Sequence, residues 1–311
     1  MIIVTGGAGF IGSNLVKELN NQGFDDILIV DDLTNGSKHK NLNRLNFIDY
    51  ADYRDFLANI DKYGVKMIFH QGACSDTTEQ DGHYMIRTNY EYSKELLRFC
   101  ISKRVRIFYA SSASVYGDGK NGFREAPECE YPLNMYAFSK YQFDRFVEIN
   151  AHHLTAQLVG LRYFNVYGPQ ENHKGKMASV AFHAFNQVKN GQSIRLFEGS
   201  EDFRRDFIYV DDVVNVNLFF LDNPGLTGIY NCGTGRAESF MAVAKAVQSA
   251  DSSARIETIP FPDELVGKYQ AFTQADLAKL RRDGYDKEFM DVDTGVKKYV
   301  EILRETGGDL T

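Results

Sequence analysis

The sequence predicts an α/β fold, a doubly wound parallel sheet with a smaller α/β domain interleaved with it. Three observations predict this. Short apolar runs alternate with amphipathic stretches through the first half of the 311 residues, the pattern of strands each followed by a covering helix. The first run leads directly into glycines at three-residue spacing, Gly6, Gly9 and Gly12, and then into a helical pattern. Beyond about residue 163 the alternation loosens, and turn-rich segments such as Asn165-Val-Tyr-Gly-Pro169 and Glu198-Gly-Ser-Glu-Asp202 take over.

In order along the chain, Met1 to Val4 reads as a buried strand and Ile11 to Gln22 as a helix. Ile27 to Val30, Met67 to His70 and Arg106 to Ser111 read as further strands. His83 to Lys103, Met135 to Asn150 and Ala178 to Asn190 carry helical patterns. Ile229 to Cys232 is a late strand expected to return to the main sheet. Residues 1–165 are therefore expected to form a dinucleotide-binding domain rejoined by 229–232, and residues 166–311 mainly a substrate-binding domain.

Composition narrows the possibilities. With 43% hydrophobic and 25% charged residues the chain can bury a large core. A net charge of −7 with no basic run argues against nucleic acid. No apolar stretch approaches the ~20 residues that span a bilayer. A strand with functional glycines at the start argues against a signal peptide. Cys74, Cys100, Cys129 and Cys232 are scattered without a Cys-x-x-Cys pair, which fits a reducing cytoplasm and neither zinc nor disulfides. His152-His153 reads as a surface pair, so no metal is expected.

The chemistry starts at the glycines. They let the backbone turn tightly and approach a pyrophosphate, which then meets the free amides at a helix N-terminus. About 20 residues on, Asp31-Asp32 ends the second strand, where an acid bonds an adenosine ribose hydroxyl and favours NAD. Lys38 and Lys40 follow in a loop that could neutralise a 2′-phosphate, so NAD and NADP both stay open. Tyr136 and Lys140 are four apart on a helical pattern and share a face. A nearby cation favours phenolate over phenol, bringing a tyrosine towards use as a base. Tyr109-Ala-Ser-Ser-Ala-Ser114 ends a strand with hydroxyls placed to bond a reacting alcohol or ketone oxygen.

On Gly6, Gly9, Gly12, Ser112, Tyr136 and Lys140 the chain resembles the extended branch of the short-chain dehydrogenase/reductases, which has a Rossmann fold and is rich in nucleotide-sugar epimerases and dehydratases. His70-Gln-Gly-Ala-Cys-Ser75, Asn89, Tyr163-Phe-Asn-Val-Tyr-Gly-Pro169 and Arg205-Asp-Phe-Ile-Tyr-Val-Asp-Asp212 extend the likeness. Narrower segments are His173-Lys-Gly-Lys-Met-Ala-Ser-Val180, Leu196-Phe-Glu-Gly-Ser-Glu-Asp-Phe-Arg-Arg-Asp206 and Lys268-Tyr-Gln-Ala-Phe-Thr-Gln-Ala-Asp276. These are similar to the ADP-heptose 6-epimerase family, over essentially the whole chain.

That resemblance implies paired acid/base groups at Tyr136 and Lys174, supported by Lys140 and Ser112. It implies cofactor contacts at Phe10, Ile11, Asp31, Asp32, Lys38, Gln71, Gly72, Ala73, Cys74, Ser75, Asn89, Lys140, Val166 and Lys174, with NADP preferred. It implies substrate contacts at Asn165, His183, Phe197, Glu198, Gly199, Ser200, Arg205 and Tyr269, and a homo-oligomer, specifically a pentamer. Two positions depart from the family pattern: Lys176 stands in place of a small serine, and Tyr53 in place of a basic residue beside the cofactor phosphate, with Arg54 adjacent.

The implied reaction inverts carbon 6″ of an ADP-heptose. That C–H bond has no neighbouring carbonyl to acidify it, so hydride removal gives a 6″-ketone, which turns over and takes the hydride back on its other face. The product would supply lipopolysaccharide inner-core synthesis. Another nucleotide-sugar epimerase, of the 4-epimerase type, is the nearest alternative; a dehydratase is disfavoured because Ala113 and Ser114 follow Ser112 instead of an acidic pair. A catalytically silent dinucleotide sensor would be expected to lose the Tyr/Lys pair that this chain keeps.

Overall fold

The computed structural model describes residues 1–153, 155–261 and 270–309. Strand β1 (Ile2–Thr5) is followed by helix α1 (Phe10–Asn21), β2 (Ile27–Asp31), β3 (Asp49–Asp52), α2 (Tyr53–Asn59) and β4 (Met67–His70). Next come α3 (Gly82–Met85), a π-helical turn (Ile86–Glu91) that runs on into α4 (Tyr92–Lys103), β5 (Arg106–Ser112), α5 (Met135–Asn150) and β6 (Leu158–Tyr163). The second half contributes β7 (Asn165–Tyr167), α6 (Val180–Lys189), β8 (Ile194–Phe197), β9 (Arg204–Tyr209), α7 (Val210–Asp222) and β10 (Gly228–Cys232). It closes with β11 (Ala237–Ser239), α8 (Phe240–Ala250), β12 (Ile256–Ile259), α9 (Ala278–Arg282) and α10 (Val292–Thr306).

The main sheet has seven strands in the order β10-β6-β5-β4-β1-β2-β3, all parallel. Apart from the edge strand β3, its strands are largely buried on both faces, and alternate residues feed two cores. Val4, Ile27, Ile29 and Phe69 pack with Leu15, Val16 and Leu19 of α1 and with α7 on one side. Ile3, Leu28, Val30 and Ile68 pack with Leu96, Leu97, Phe143 and Val147 of α4 and α5 on the other. Each such side chain contributes roughly 1.5–3 kcal/mol when fully buried, which is why continuous apolar runs settle as central strands here. Strand order reverses between β1 and β4, and in open parallel sheets the crevice at such a reversal is where ligands lie.

A further core joins α6, α8 and α10 to β8 and β9. Two small sheets, β11-β9-β7 and β12-β8, accompany it. The sequence predicts one helix from His83 to Lys103; the structure instead widens its second turn into the π form, which carries Asn89. Among the described residues, no helix is long and apolar enough to cross a membrane, and no cluster of three His, Cys, Asp or Glu side chains could hold a metal.

Candidate active site

The glycine turn is tight enough to explain its composition. Gly6 sits at φ +68°, and a Cβ on Gly12 would lie 2.1 Å from the Gly6 carbonyl oxygen. Gly9 opens α1 with no side-chain cap and no acid in the first turn, whereas α5, α6, α8 and α10 each begin on a capping side chain. The first amides of α1 are thus left for an outside anion. A Cβ on Gly6 would also meet Gly72 N at 2.6 Å, so the loops after β1 and β4 touch at the sheet's reversal point.

A cavity of about 540 Å³ opens there. Gly6, Gly9, Phe10, Ile11, Gly12, Asp31, Lys38, Gln71, Gly72, Ala73, Cys74, Ser75, Ser112, Tyr136, Lys140, Val166 and Lys174 all line it, so most of the expected cofactor and acid/base residues meet in one place. A second hollow of about 370 Å³ continues past Asp31, Asp32 and Lys38 to Tyr53, Tyr84, Thr88 and Tyr92. Tyr84, Thr88 and Tyr92 were not singled out from sequence, although their four-residue spacing marks one helix face.

Asp31 is held in place by the chain itself: its carboxylate accepts from Ala8 N at 2.7 Å and forms an ion pair with Lys38. Lys38 also donates to the Asp32 carbonyl at 2.9 Å. The Asp32 carboxyl is held below its ordinary value, chiefly by the Thr34 hydroxyl. Arg54 forms its bonds with Asp52, at 2.6 and 2.8 Å, and does not line either hollow. Asn89 is buried and acts on the loop: its Oδ1 accepts from Cys74 N at 2.8 Å, and its Nδ2 donates to Cys74 O and Ser139 Oγ at 3.0 Å each.

Behind that loop His70 is wholly enclosed. Ser93 donates to the Asn89 carbonyl, so His70 Nε2 is the donor in its 2.7 Å bond to Ser93, and Nδ1 accepts from Thr5 Oγ1 at 2.6 Å. Burial drives its imidazolium pKa down to about 3, consistent with this neutral role.

Asn134 caps α5 by accepting from Ala137 N at 2.8 Å, aiming the first turn of that helix at the cavity. Tyr136 lies beside Ser112, whose hydroxyl eases its ionisation, but burial outweighs that influence and raises its pKa. Lys140, on the same cavity wall, donates to the Ala110 carbonyl at 2.8 Å, and burial lowers its pKa to about 8. Lys174 lines the same cavity, 4.9 Å from the centre of the Phe10 ring, with its pKa lowered by burial and partly restored by Glu171.

Of the expected substrate residues, Asn165, His183, Phe197, Glu198, Gly199, Ser200 and Arg205 do not line this cavity. Arg205 is buried beside Phe240 and donates to the Arg204 carbonyl at 3.0 Å and to the Gln270 carbonyl. Tyr269 lies outside the described residues.

The sequence model of the NAD dependent epimerase/dehydratase family matches residues 2–233. The chain belongs to that family. It is 63% identical, over 100% of both chains, to a protein of Brachyspira hyodysenteriae (strain ATCC 49526 / WA1) named ADP-L-glycero-D-manno-heptose-6-epimerase. The crystal structure of the Helicobacter pylori ADP-L-glycero-D-manno-heptose-6-epimerase is similar at a TM-score of 0.85, with 29% identity and 98% and 96% of the two chains covered. A UDP-glucose 4-epimerase of Thermus thermophilus in complex with NAD is similar at 0.82, with 27% identity and 98% and 99% covered.

Cavity and family agree on the group the site should take. The uncapped α1 start, the turn so tight that a Cβ on Gly12 would strike the Gly6 carbonyl, and an elongated pair of hollows meeting at the sheet reversal fit a nicotinamide dinucleotide.

Proposed function

We propose that this protein is an epimerase of ADP-heptose, inverting carbon 6″ between the D-glycero and L-glycero forms. The observation that carries this reading is full-length 63% identity to the Brachyspira hyodysenteriae enzyme, in a chain whose Tyr136 and Lys174 line one cavity. A bound nicotinamide supplies a hydride acceptor and donor. The chain supplies the rest. The α1 amides hold the pyrophosphate, and Lys140 holds the nicotinamide ribose. Tyr136, beside Ser112, and Lys174, lining the same cavity, move the proton of the 6″ oxygen in its two orientations. Two groups are useful because that oxygen points differently before and after the ketone end turns over, while binding energy from the ADP half retains the intermediate.

The cofactor is read as NADP, with Lys38 at the adenosine end meeting the 2′-phosphate. The Asp31–Lys38 ion pair favours the second reading, NAD, because an engaged lysine leaves a buried carboxylate facing the ribose. Chromatography of the dinucleotide released on denaturing the purified protein separates the two. The same reading places the enzyme in the cytoplasm, as a homo-oligomer of five subunits, in lipopolysaccharide precursor synthesis.

Proton NMR of the purified protein mixed with ADP-D-glycero-β-D-manno-heptose, without added cofactor, tests the reaction. Appearance of the L-glycero epimer is expected. No conversion even with NADP+ or NAD+ added, together with interconversion of UDP-glucose and UDP-galactose, would replace the assignment by the 4-epimerase.

A further inference from the structure

Glu171 is a fully buried carboxylate just past a constrained turn. Gly168 has φ +143°, and a Cβ on it would meet Val210 Cγ1 at 2.6 Å. Gln170, also buried, adopts φ +76°, an uncommon conformation for a residue other than glycine. The turn is pinned where Gln170 N donates to the Gly308 carbonyl at 2.9 Å. It delivers Glu171 to a place where each oxygen has its own partners. Oε1 accepts from the Ser179 hydroxyl at 2.6 Å and the Tyr299 hydroxyl at 3.0 Å. Oε2 accepts from Ser179 N at 2.7 Å and faces Lys174 Nζ at 3.8 Å.

A carboxylate taken wholly out of water costs several kcal/mol unless it is paired and hydrogen-bonded. Ser179 and Tyr299 supply the bonds, and Lys174 supplies the charge. The remaining charged or titratable neighbours compete weakly for it. His173 is held neutral, its imidazolium pKa lowered to about 4 by burial and by Lys38 and Lys174. Lys38 is paired with Asp31, and Lys176 reaches Asp76 on the other side of the cleft.

We propose that Glu171 is a positioning residue for Lys174: its buried carboxylate holds the ammonium against Phe10 on the cavity wall, facing the reacting end of the substrate. This rests on the reading of Lys174 as one of the two acid/base groups. It gives Glu171 a role beyond anchoring the start of α6 through Ser179. The turn, Ser179 and Tyr299 fix the carboxylate, so the lysine has one favoured place rather than a range of them. The carboxylate also opposes burial in setting how readily Lys174 gives up its proton.

The test follows the Lys174 ammonium directly by side-chain nitrogen NMR across pH, its signal identified by its loss in Lys174→Met. Glu171→Gln removes the charge but keeps an acceptor oxygen. It is expected to lower the Lys174 midpoint by about one unit or more, the effect of losing an opposite charge at this range. Turnover of ADP-heptose should fall roughly 10- to 100-fold with little change in KM, the cost of a misplaced group. Ser179→Ala and Tyr299→Phe take donors from the same carboxylate without touching its charge. They should lower thermal stability and leave the midpoint in place. A midpoint that Glu171→Gln leaves unmoved overturns the proposal. Should that variant fail to fold, Glu171→Asp, which withdraws the charge by one methylene, must move the midpoint in the same direction or the proposal falls. Wild-type turnover by Lys174→Met would instead remove Lys174 from the chemistry, a failure of the functional reading that the titration distinguishes from failure of the tether.

Discussion

Tyr136 and Lys140 stand one helical turn apart on α5, yet their polar ends have different surroundings: the Ser112 hydroxyl lies beside the phenol, and the ammonium donates to the Ala110 carbonyl at 2.8 Å. Burial keeps the phenol's pKa above its ordinary value, so it is protonated at neutral pH and suits the proton-donating half of the proposed reaction. Tyr136→Phe keeps the ring and loses only the hydroxyl. Conversion of ADP-heptose should fall by ~10²–10⁴-fold, the typical contribution of a placed acid/base group. The thermal midpoint should be that of the wild type. Turnover at the wild-type rate would remove Tyr136 from the mechanism.

Lys140 has a signature of its own in stability. Its pKa falls from 10.5 to about 8 on folding, mainly through burial, with Asp144 opposing. Between those values the unfolded chain keeps a proton that the folded protein has shed, so this group's contribution to stability rises with pH across the window. The penalty is fully present below pH 8. Relative to Lys140→Met, wild type should gain up to about 3 kcal/mol as pH rises from about 8 to 10.5, at 1.36 kcal/mol per pKa unit. Urea unfolding of both proteins at several pH values measures it. Parallel pH curves would mean that the folded protein keeps Lys140 charged.

Below the site lies a second buried charge system centred on Arg162, which is 1% exposed. Its guanidinium donates to Asp144 at 2.9 Å, Glu130 at 2.5 Å and the Tyr116 hydroxyl at 3.0 Å. Asp144 in turn accepts from Ser111 at 2.8 Å and Tyr109 at 3.0 Å, on the strand that carries Ser112. Arg162→Met leaves two buried carboxylates without their cation, at a cost of about 3–5 kcal/mol. Arg162→Lys should recover only part of it, since an ammonium cannot reproduce the planar fork. The midpoint of urea denaturation reads both variants.

Much of this was legible in the chain because it is local. Gly6, Gly9 and Gly12 have a backbone reason to be glycine, and apolar runs in alternation with amphipathic ones have few ways to fold. Strand β10 pairs in parallel with β6, where Ile229 to Cys232 points from sequence. Tyr136 and Lys140 were legible as a pair, but not the direction in which Lys140 turns, because the Ala110 carbonyl that receives it belongs to a strand 30 residues earlier. Tyr84, Thr88 and Tyr92 needed the register of the π turn to be known before their common face pointed at a hollow. Glu171 was hidden for a different reason. Nothing within a few residues of it shows that Tyr299, 128 residues away, and a positive-φ Gln170 will enclose it.

Lys176 carries the last prediction. The segment Asn172–Met177 crosses the mouth of the cavity, where Asn35 donates to the His173 carbonyl at 3.4 Å and Asn41 to the His173 ring at 3.3 Å. On the opposite side Lys176 donates to Thr78 at 2.7 Å and pairs with Asp76 at 3.3 Å, so the strap is tied to both banks of the crevice. Asp76 keeps its charge well into acid, its pKa lowered first by the Thr78 hydroxyl and less by Lys176. An exposed pair of this kind contributes at most about 1 kcal/mol, which is roughly fivefold in a rate. Lys176→Ser should therefore leave the melting temperature alone and speed the loss of bound dinucleotide on gel filtration a few-fold at low salt. Raising the salt should speed the loss more from wild type than from the variant, because one of the interactions it screens is already gone. Equal rates for the two proteins at low salt would show that the strap is held by its asparagine side alone.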